Sequence, residues 1–323
     1  MRAMRVVVLG STGLLGRTIV ADLAGRGHAV AGISRRGLPC REAPRAEATV
    51  LDVVTAGDAE LEATFAGADA VVHCLGPDDR DRVRGSATDY FQRLLVTPTA
   101  RVAAAARRAG VGSLVVLGSY FTAFDRLHPE WDLPRRHPYI QARVDQARRS
   151  REAGPDATSV LEIPFVFGAL TGIVPMWKSY LIDPTRRSPG AGAPAGSSAA
   201  VSNTDVALAV AALIEGRCAP GAYPVSTDVY PYARLVRVIC DALGQTRKKV
   251  VTVPTPLLGA GLRAEGWRLA VVGKSSGLTP RLLAPDMLAR DLGLDPAAYA
   301  PALGLTPRNL DDVVRATVAA CRG

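Results

Sequence analysis

The sequence predicts an α/β protein built on a doubly wound parallel sheet, with a smaller portion toward the carboxyl terminus. Three observations predict this class. Short apolar runs alternate with helical segments through about residue 165, glycines follow the first apolar run at intervals of three residues, and glycine or a polar residue closes most later runs. At 323 residues the chain is long for one compact core, so we expect a second unit beyond the sheet.

The first apolar run and the turn after it form the most informative segment. Residues 6–17 are Val-Val-Val-Leu-Gly-Ser-Thr-Gly-Leu-Leu-Gly-Arg, a strand that leads into a helix predicted over residues 14–24. Gly10 supplies dihedral freedom for the turn, Gly13 lets the backbone approach a pyrophosphate, and Gly16 lets helix and strand pack closely. The free N–H groups that start the helix attract phosphate. The segment predicts a dinucleotide site, with a purely structural turn as the alternative, formed by Gly10, Ser11, Thr12, Gly13, Leu14, Leu15 and Gly16.

The residues after the second predicted strand, 28–33, indicate which dinucleotide is bound. NAD sites of this kind usually have an acidic residue there to hold the ribose 2′-hydroxyl, whereas this chain has Ser34, Arg35 and Arg36. Guanidinium groups match a 2′-phosphate, and a serine hydroxyl adds a further donor. The triplet therefore predicts NADP in preference to NAD, and two arginines that only solvate a loop are the alternative.

The predicted boundary between the two parts lies at residue 165. We expect residues 1–165 to form a dinucleotide-binding Rossmann domain and residues 166–323 to form mainly a substrate-binding portion, with some segments returning to the first domain. The other predicted strands cover residues 50–53, 68–75, 113–117, 158–163 and 250–253. The other predicted helices cover residues 58–66, 98–109, 202–215, 232–243, 257–272, 285–292 and 310–321, and one more starts near Tyr139. Residues 120–138 are expected to be irregular, and the composition of residues 186–200 predicts a mobile loop, either a lid over the substrate or a surface connection.

Composition limits the partners and the compartment. The formal net charge is +9, but the arginines are scattered among acidic residues and form no run of five like charges, so we expect no nucleic-acid partner. No stretch of eighteen apolar residues occurs, which predicts no membrane span. The five cysteines show neither a CxxC pair nor an even framework, so we expect no metal site, no disulfide scaffold and a cytoplasmic location.

Three polar side chains are expected at the carboxyl ends of the predicted strands, where open α/β sheets bind their ligands. Ser119 follows the strand at 113–117, and Tyr139 and Arg143 share one face of the next helix because they are four residues apart. We expect a hydroxyl, a phenol and a cation to face one bound molecule. His128 and His137 each precede a proline, which favours surface turn residues over an acid or base.

Together these motifs resemble the extended short-chain dehydrogenase/reductase superfamily, also called the NAD-dependent epimerase/dehydratase family. The motifs that carry the resemblance are Gly10-x-x-Gly13-x-x-Gly16, Asp52-Val53, His73-Cys74-Leu75-Gly76, Ser119, Tyr139-x-x-x-Arg143, Pro164 to Gly168, and Val201 to Ala207. The resemblance implies that Ser119 orients a substrate carbonyl, that Tyr139 gives or takes its proton, and that Arg143 supports the phenol.

The resemblance also extends the expected set of ligand contacts. The further cofactor contacts that it implies are Asp52, Val53, Cys74, Leu75, Gly76, Tyr139, Arg143, Pro164, Phe165 and Val166. Relatives form substrate pockets where this chain has Met176, Trp177 and Tyr180, although simple packing is an alternative for Trp177. Many relatives are dimers, so a homodimer is one expected assembly.

One departure from the family pattern leaves the reaction open. Arg143 stands where the family has lysine, and arginine favours a phenolate as lysine does but cannot release a proton. We hypothesise an NADP(H)-dependent oxidoreductase acting on a carbonyl or secondary alcohol of a small metabolite, either a nucleotide sugar or a polyketide-like compound. The alternatives are an epimerase, dehydratase or cyclase whose bound NAD(P) is structural or recycled, and an NADP-binding regulatory sensor.

Overall fold

The structure, a computed structural model, describes residues 2–37 and 39–322. In chain order its strands are β1 (Arg5–Leu9), β2 (Ala29–Ser34), β3 (Glu47–Val50), β4 (Ala70–His73), β5 (Arg82–Arg84), β6 (Ser113–Leu117), β7 (Ala157–Glu162), β8 (Phe165–Phe167), β9 (Ala191–Ala193), β10 (Ser197–Ser202), β11 (Ala222–Pro224), β12 (Asp228–Pro231), β13 (Val250–Thr252), β14 (Lys274–Ser276) and β15 (Asp291–Leu292). Its α-helices are α1 (Leu14–Gly25), α2 (Asp58–Phe65), α3 (Ala87–Phe91), α4 (Thr97–Arg108), α5 (Phe121–Leu127), α6 (Leu133–Arg136), α7 (Pro138–Ala153), α8 (Asp183–Arg187), α9 (Asn203–Ile214), α10 (Tyr232–Ala242), α11 (Thr255–Val271), α12 (Pro280–Leu283), α13 (Pro296–Tyr299) and α14 (Asp311–Ala320). Within the described ranges, no helix combines the length and the apolar character needed to cross a bilayer.

A parallel sheet of seven strands forms the larger part, in the order β11-β7-β6-β4-β1-β2-β3. Its central strands are rich in β-branched, apolar side chains because helices cover both faces of the sheet. Val6 and Val8 of β1 pack in the layer that contains α1 and α9, and Val7 and Leu9 pack on the opposite side with α2 and α4. The strand order reverses between β1 and β4, which opens a crevice at their carboxyl ends. The predicted doubly wound parallel sheet is confirmed.

A smaller sheet has β10 as its central strand, and β10 pairs with β12, β15 and β8. Every residue of β10 is buried, and its serine and alanine side chains are small enough for a central strand. Two segments of the second half return to the large sheet: β11 pairs with β7, and α9 packs on α1. In the other direction, β5 from the first half pairs with β14.

Four predicted segments are wrong in the structure. The third strand is Glu47–Val50 rather than residues 50–53. Leu51 and Val53 follow this strand and are buried in the hydrophobic core. Residues 120–138 contain α5, the 3₁₀ turn Pro129–Trp131 and α6 rather than irregular chain. Residues 186–200 contain β9 and the start of β10 rather than a mobile loop, because strand pairing buries their small side chains. Residues 285–292 contain part of a π-helical turn, Ala284–Leu288, and then β15 rather than a helix.

His137 is not the surface residue that its place before a proline predicts, because its side chain is buried with 0% exposure. Its Nδ1 accepts a hydrogen bond from the Thr279 backbone N–H (3.0 Å), so its proton lies on Nε2, which bonds Asp286 Oδ2 (3.0 Å). Burial lowers the pKa of His137, which keeps the ring neutral. Arg136 donates to both carboxylate oxygens of Asp286 (2.7 and 2.9 Å). These bonds attach the amino end of α7 to residues 279–286 of the second half.

The buried carboxylate of Asp286 predicts a stability effect. Asp286→Asn removes the charge that Arg136 and His137 bond, so we expect the free energy of unfolding to fall by about 2 kcal/mol. Urea unfolding measures the change. Asp312→Asn is the matched control, because the Asp312 side chain is 95% exposed and its ion pair with Arg315 contributes roughly 0.5 kcal/mol or less. Equal destabilisation by the two substitutions would contradict this role for Asp286.

Candidate active site

The turn between β1 and α1 leaves space for an anion at the amino end of the helix. Gly10 has φ +86°, and a Cβ atom on Gly16 would lie 2.1 Å from the Gly10 carbonyl oxygen. Gly13 caps α1 with no side-chain hydrogen bond, and the first turn of α1 contains no acidic residue. The N–H groups of the first turn of α1, which have no partner within the helix, and the positive end of the helix dipole therefore fit a diphosphate group.

Ser34, Arg35 and Arg36 form a turn at the carboxyl end of β2, next to that glycine turn. Ser34 is buried, and its Oγ accepts a hydrogen bond from the Gly37 N–H (3.1 Å), which leaves the hydroxyl proton to donate elsewhere. Both arginine side chains are exposed. Asp52 follows β3 close by, because the Leu51 N–H donates to the Ser34 carbonyl (3.1 Å). The turn thus offers two cations and a hydroxyl at this edge of the sheet.

A cavity of about 210 Å³ lies at the carboxyl ends of β4, β6 and β7. It brings together all three candidate catalytic side chains and many of the implied cofactor contacts. The predicted residues that line it are Leu15, Cys74, Leu75, Gly76, Ser119, Tyr139, Arg143, Pro164, Phe165 and Val166. The other predicted cofactor residues lie outside its lining, in the β1–α1 turn, in the turn after β2 and in the segment after β3.

Arg143 is the hydrogen-bond donor to Tyr139. Arg143 Nε lies 2.8 Å from Tyr139 Oη, and the guanidinium carbon lies 5.0 Å from the centre of the phenol ring. Arg143 Nη1 also donates to Gln146 Oε1 (2.9 Å), and Gln146 in turn donates to Thr99 (3.1 Å). The phenol oxygen accepts from Arg143, so its own proton is directed to a different acceptor.

The phenol of Tyr139 is protonated near neutral pH. Only 6% of the residue is exposed, and this burial raises its pKa, although the charge and hydrogen bond of Arg143 oppose the change. Burial also lowers the pKa of the neighbouring His73 to about 4 and raises that of the Cys74 thiol. Both groups are therefore uncharged near pH 7. Tyr139 thus keeps its phenol proton at this pH and is placed to donate it in the cavity.

Asp78, Asp79 and Arg80 line the same cavity, although the sequence motifs did not single them out. Arg80 Nε donates to Asp79 Oδ1 (3.0 Å), and the Arg80 backbone N–H donates to Asp78 Oδ1 (2.9 Å). Burial and the charge of Asp79 raise the pKa of Asp78 to about 6. A signal for them was present, because the charged triplet follows Gly76-Pro77 in the loop after β4, where ligands of such sheets bind.

A second, larger cavity of about 450 Å³ adjoins the first. The residues that line both cavities are Asp79, Arg80, Tyr120, Phe121, Phe165 and Trp177. The guanidinium of Arg80 lies over the rings of Trp177 and Tyr180, 5.0 Å from each centre. The Trp177 indole N–H donates to the Val166 carbonyl (2.7 Å), which fixes the ring against the wall. Met176 lines the smaller cavity and Tyr180 the larger one.

His128 lies away from both cavity linings. Its ring stacks on Trp131 with centres 4.0 Å apart, and its Nδ1 lies 3.1 Å from Glu130 Oε1. The side chain is partly exposed, as its position before a proline predicts. Neither His128 nor His137 lines the cavity of Tyr139.

Comparison with known proteins agrees with this geometry. Residues 10–167 match the NAD(P)H-binding family model. Three uncharacterized mycobacterial proteins, two from Mycobacterium tuberculosis and one from Mycobacterium bovis, are 33% identical over 102 residues, or 31% of this chain. The match spans only 12% of the length of those relatives.

Several solved structures share the fold over nearly the whole chain. Gox2253 has a TM-score of 0.76 at 17% identity, covering 98% of this chain and 97% of its own. PA4631, a nucleoside-diphosphate-sugar epimerase from Pseudomonas aeruginosa, has a TM-score of 0.70 at 20% identity, with coverage of 99% and 98%. The UDP-N-acetylglucosamine 4-epimerase from Bacillus cereus has a TM-score of 0.67 at 14% identity, with coverage of 99% and 97%.

The matched segment and the shared fold agree with the resemblance to the extended short-chain dehydrogenase/reductase superfamily. The chain has the fold of the solved epimerase structures over nearly its whole length. The epimerases among these solved structures share the fold with this chain at 14% and 20% identity.

The close packing at Gly16 predicts a loss of nucleotide binding on substitution. Gly16→Ala would place a Cβ atom 2.1 Å from the Gly10 carbonyl oxygen and force the turn apart, so we expect the affinity for NADP(H) to fall at least about tenfold. Fluorescence titration measures the affinity. Gly25→Ala in the same helix is the control, because a Cβ there meets no atom within 4 Å. Unchanged affinity in the Gly16 variant would contradict a phosphate cradle at this turn.

Proposed function

We propose that this protein is an NADP(H)-dependent oxidoreductase that reduces a carbonyl group of a small metabolite, or oxidises the corresponding secondary alcohol. One observation carries the proposal: Tyr139 Oη accepts a hydrogen bond from Arg143 in a cavity that Ser119 also lines, which directs the phenol proton to a third group. A substrate carbonyl oxygen in this cavity is such an acceptor. The buried, protonated phenol suits the direction of reduction.

In the proposed reduction, the substrate carbonyl oxygen accepts hydrogen bonds from Ser119 and Tyr139. A nicotinamide cofactor held by the glycine turn between β1 and α1 would supply the hydride for the carbonyl carbon. As negative charge develops on the oxygen, Tyr139 transfers its proton there and becomes a phenolate. Arg143 stabilises the phenolate through its hydrogen bond and its charge, and the contact with Gln146 holds the guanidinium in place.

The preference for NADP is part of the proposal. Arg35 and Arg36 are exposed directly after β2, where NAD-binding members have an acidic residue instead. Two cations favour a ribose 2′-phosphate over a hydroxyl group, because guanidinium and phosphate form charge-assisted hydrogen bonds.

A second candidate is a reaction without net redox, such as epimerisation. It is favoured by the solved structures of this fold that are named as epimerases, PA4631 and the UDP-N-acetylglucosamine 4-epimerase. The two candidates differ in the fate of NADPH. Stoichiometric loss of absorbance at 340 nm during product formation supports the oxidoreductase, and constant absorbance supports the alternative. A sensor without turnover is disfavoured because Ser119 and Tyr139 are both present.

The role of Tyr139 predicts the effect of two substitutions. Tyr139→Phe removes the proton donor, and we expect kcat to fall by roughly 10²-fold to 10⁴-fold, whereas Arg143→Lys keeps a cation beside the phenol and retains turnover. NADPH oxidation with a panel of ketones and aldehydes measures both. Tyr223→Phe is the control, because this hydroxyl donates to the Ala219 carbonyl away from the cavity. Undiminished turnover in Tyr139→Phe would refute the proton-donor assignment.

The arginine pair predicts the cofactor preference. In the double variant Arg35→Ala, Arg36→Ala we expect the Kd for NADPH to rise about tenfold or more while the Kd for NADH stays the same. The double variant Arg107→Ala, Arg108→Ala is the control, because it removes the same charge from an exposed pair at the carboxyl end of α4. An equal loss of NADPH and NADH affinity in the first variant would argue against recognition of the 2′-phosphate.

A further inference from the structure

We infer that the larger cavity binds the apolar body of an uncharged carbonyl compound, and that it does not take a nucleoside diphosphate sugar. This inference rests on the proposed function and names the substrate class for it. The cavity volume of about 450 Å³ lies in the range of pockets that bury a drug-sized molecule. The lining of the cavity, its charges and its connection to Tyr139 together favour this class of ligand.

The lining of the larger cavity is aromatic and aliphatic. One side is formed by the rings of Phe121, Phe165 and Trp177, which pack at the border with the smaller cavity. Another side is formed by half-buried leucines of two helices, Leu262 of α11 and Leu283 of α12. Such walls stabilise a bound molecule by removing apolar surface from water, and they offer no compensation for a desolvated charge.

The charges in this lining are already paired. Among the described residues that line the cavity, the ionisable cations are Arg80 and Arg82, and the carboxylates are Asp79 and Glu265. Arg80 Nε lies 3.0 Å from Asp79 Oδ1, and Arg82 Nη2 lies 2.8 Å from Glu265 Oε1. A diphosphate requires cations or N–H donors that are not neutralised by carboxylates. The paired lining therefore disfavours a nucleotide sugar and permits a neutral molecule.

The two cavities share a border at the residues that follow Ser119. Tyr120 and Phe121 line both spaces, and Ser119 and Tyr139 line the smaller one. Arg80 lies at the same border, over Trp177 and Tyr180. A ligand whose apolar body fills the larger cavity can therefore place a carbonyl group in the smaller cavity, which Tyr139 lines. The proposed substrate is therefore an uncharged compound with an apolar body for the larger cavity and a carbonyl group for the smaller one.

The test uses a neutral, apolar, fluorescent ketone, 6-propionyl-2-(dimethylamino)naphthalene, whose emission shifts to the blue in apolar surroundings. We expect the full chain to bind this probe saturably, cyclohexanone to compete and UDP-glucose not to compete. Leu262→Arg places a charge in the apolar wall, and we expect it to weaken probe binding at least about tenfold. Leu257→Arg is the matched control on α11, because Leu257 is 65% exposed and lies outside the lining.

A second variant, Leu283→Arg, tests the wall from α12 if the α11 variant does not fold, and thermal melts establish folding in each case. Competition by UDP-glucose, no saturable probe binding, or equal probe affinity in the folded lining variants and Leu257→Arg would overturn the inference.

Separate NADPH titrations distinguish the two proposals. Wild-type protein that binds the ketone but not NADPH would contradict the proposed function alone. Protein that binds and oxidises NADPH but not with apolar ketones would contradict the substrate class alone.

Discussion

The close approach of α1 to the end of β1 is the constraint on which the rest of the structure depends. Because Gly16 has no side chain, the helix packs directly over the Gly10 carbonyl group and its amino end points to the crevice between β1 and β4. Thr18 of α1 then accepts a hydrogen bond from Asn203 of α9 (2.9 Å). Since β10 leads directly into α9, the glycine turn also aligns the central strand of the smaller sheet. One backbone contact thus positions both the proposed phosphate site and the scaffold of the second half.

Arg143 stands where the family that the sequence resembles has lysine, and this difference has a geometric consequence. A planar guanidinium can donate in several directions at once, and here Arg143 bonds both the Tyr139 hydroxyl and the Gln146 side chain. The cation is therefore held by its own helix, one turn after the phenol and one turn before the amide. This arrangement keeps the charge beside Tyr139 but leaves the phenol largely buried, so burial still raises its pKa.

The sheet half of the molecule was largely predictable, because its signals are local. Buried parallel strands such as β1 and β6 are short branched runs in the sequence, and glycine marks the end of several helices. The second half was less predictable because two of its strands, β9 and β10, consist mainly of small residues rather than branched ones. The alanines, serines and glycines of β9 and β10 have the composition of a loop, and they become strands because neighbouring segments pair with them and exclude water.

The sequence by itself determined the parallel sheet, the glycine turn and the expectation that Ser119, Tyr139 and Arg143 face one molecule, because residue spacing and strand ends define all three. Tertiary structure decided what surrounds them. His137 is buried against Asp286, Asp79 neutralises Arg80, and the larger cavity that Phe121 lines is also lined by residues more than a hundred positions away in the chain. Such pairings depend on which segments meet in space, and no local pattern of charge or hydrophobicity encodes those distances.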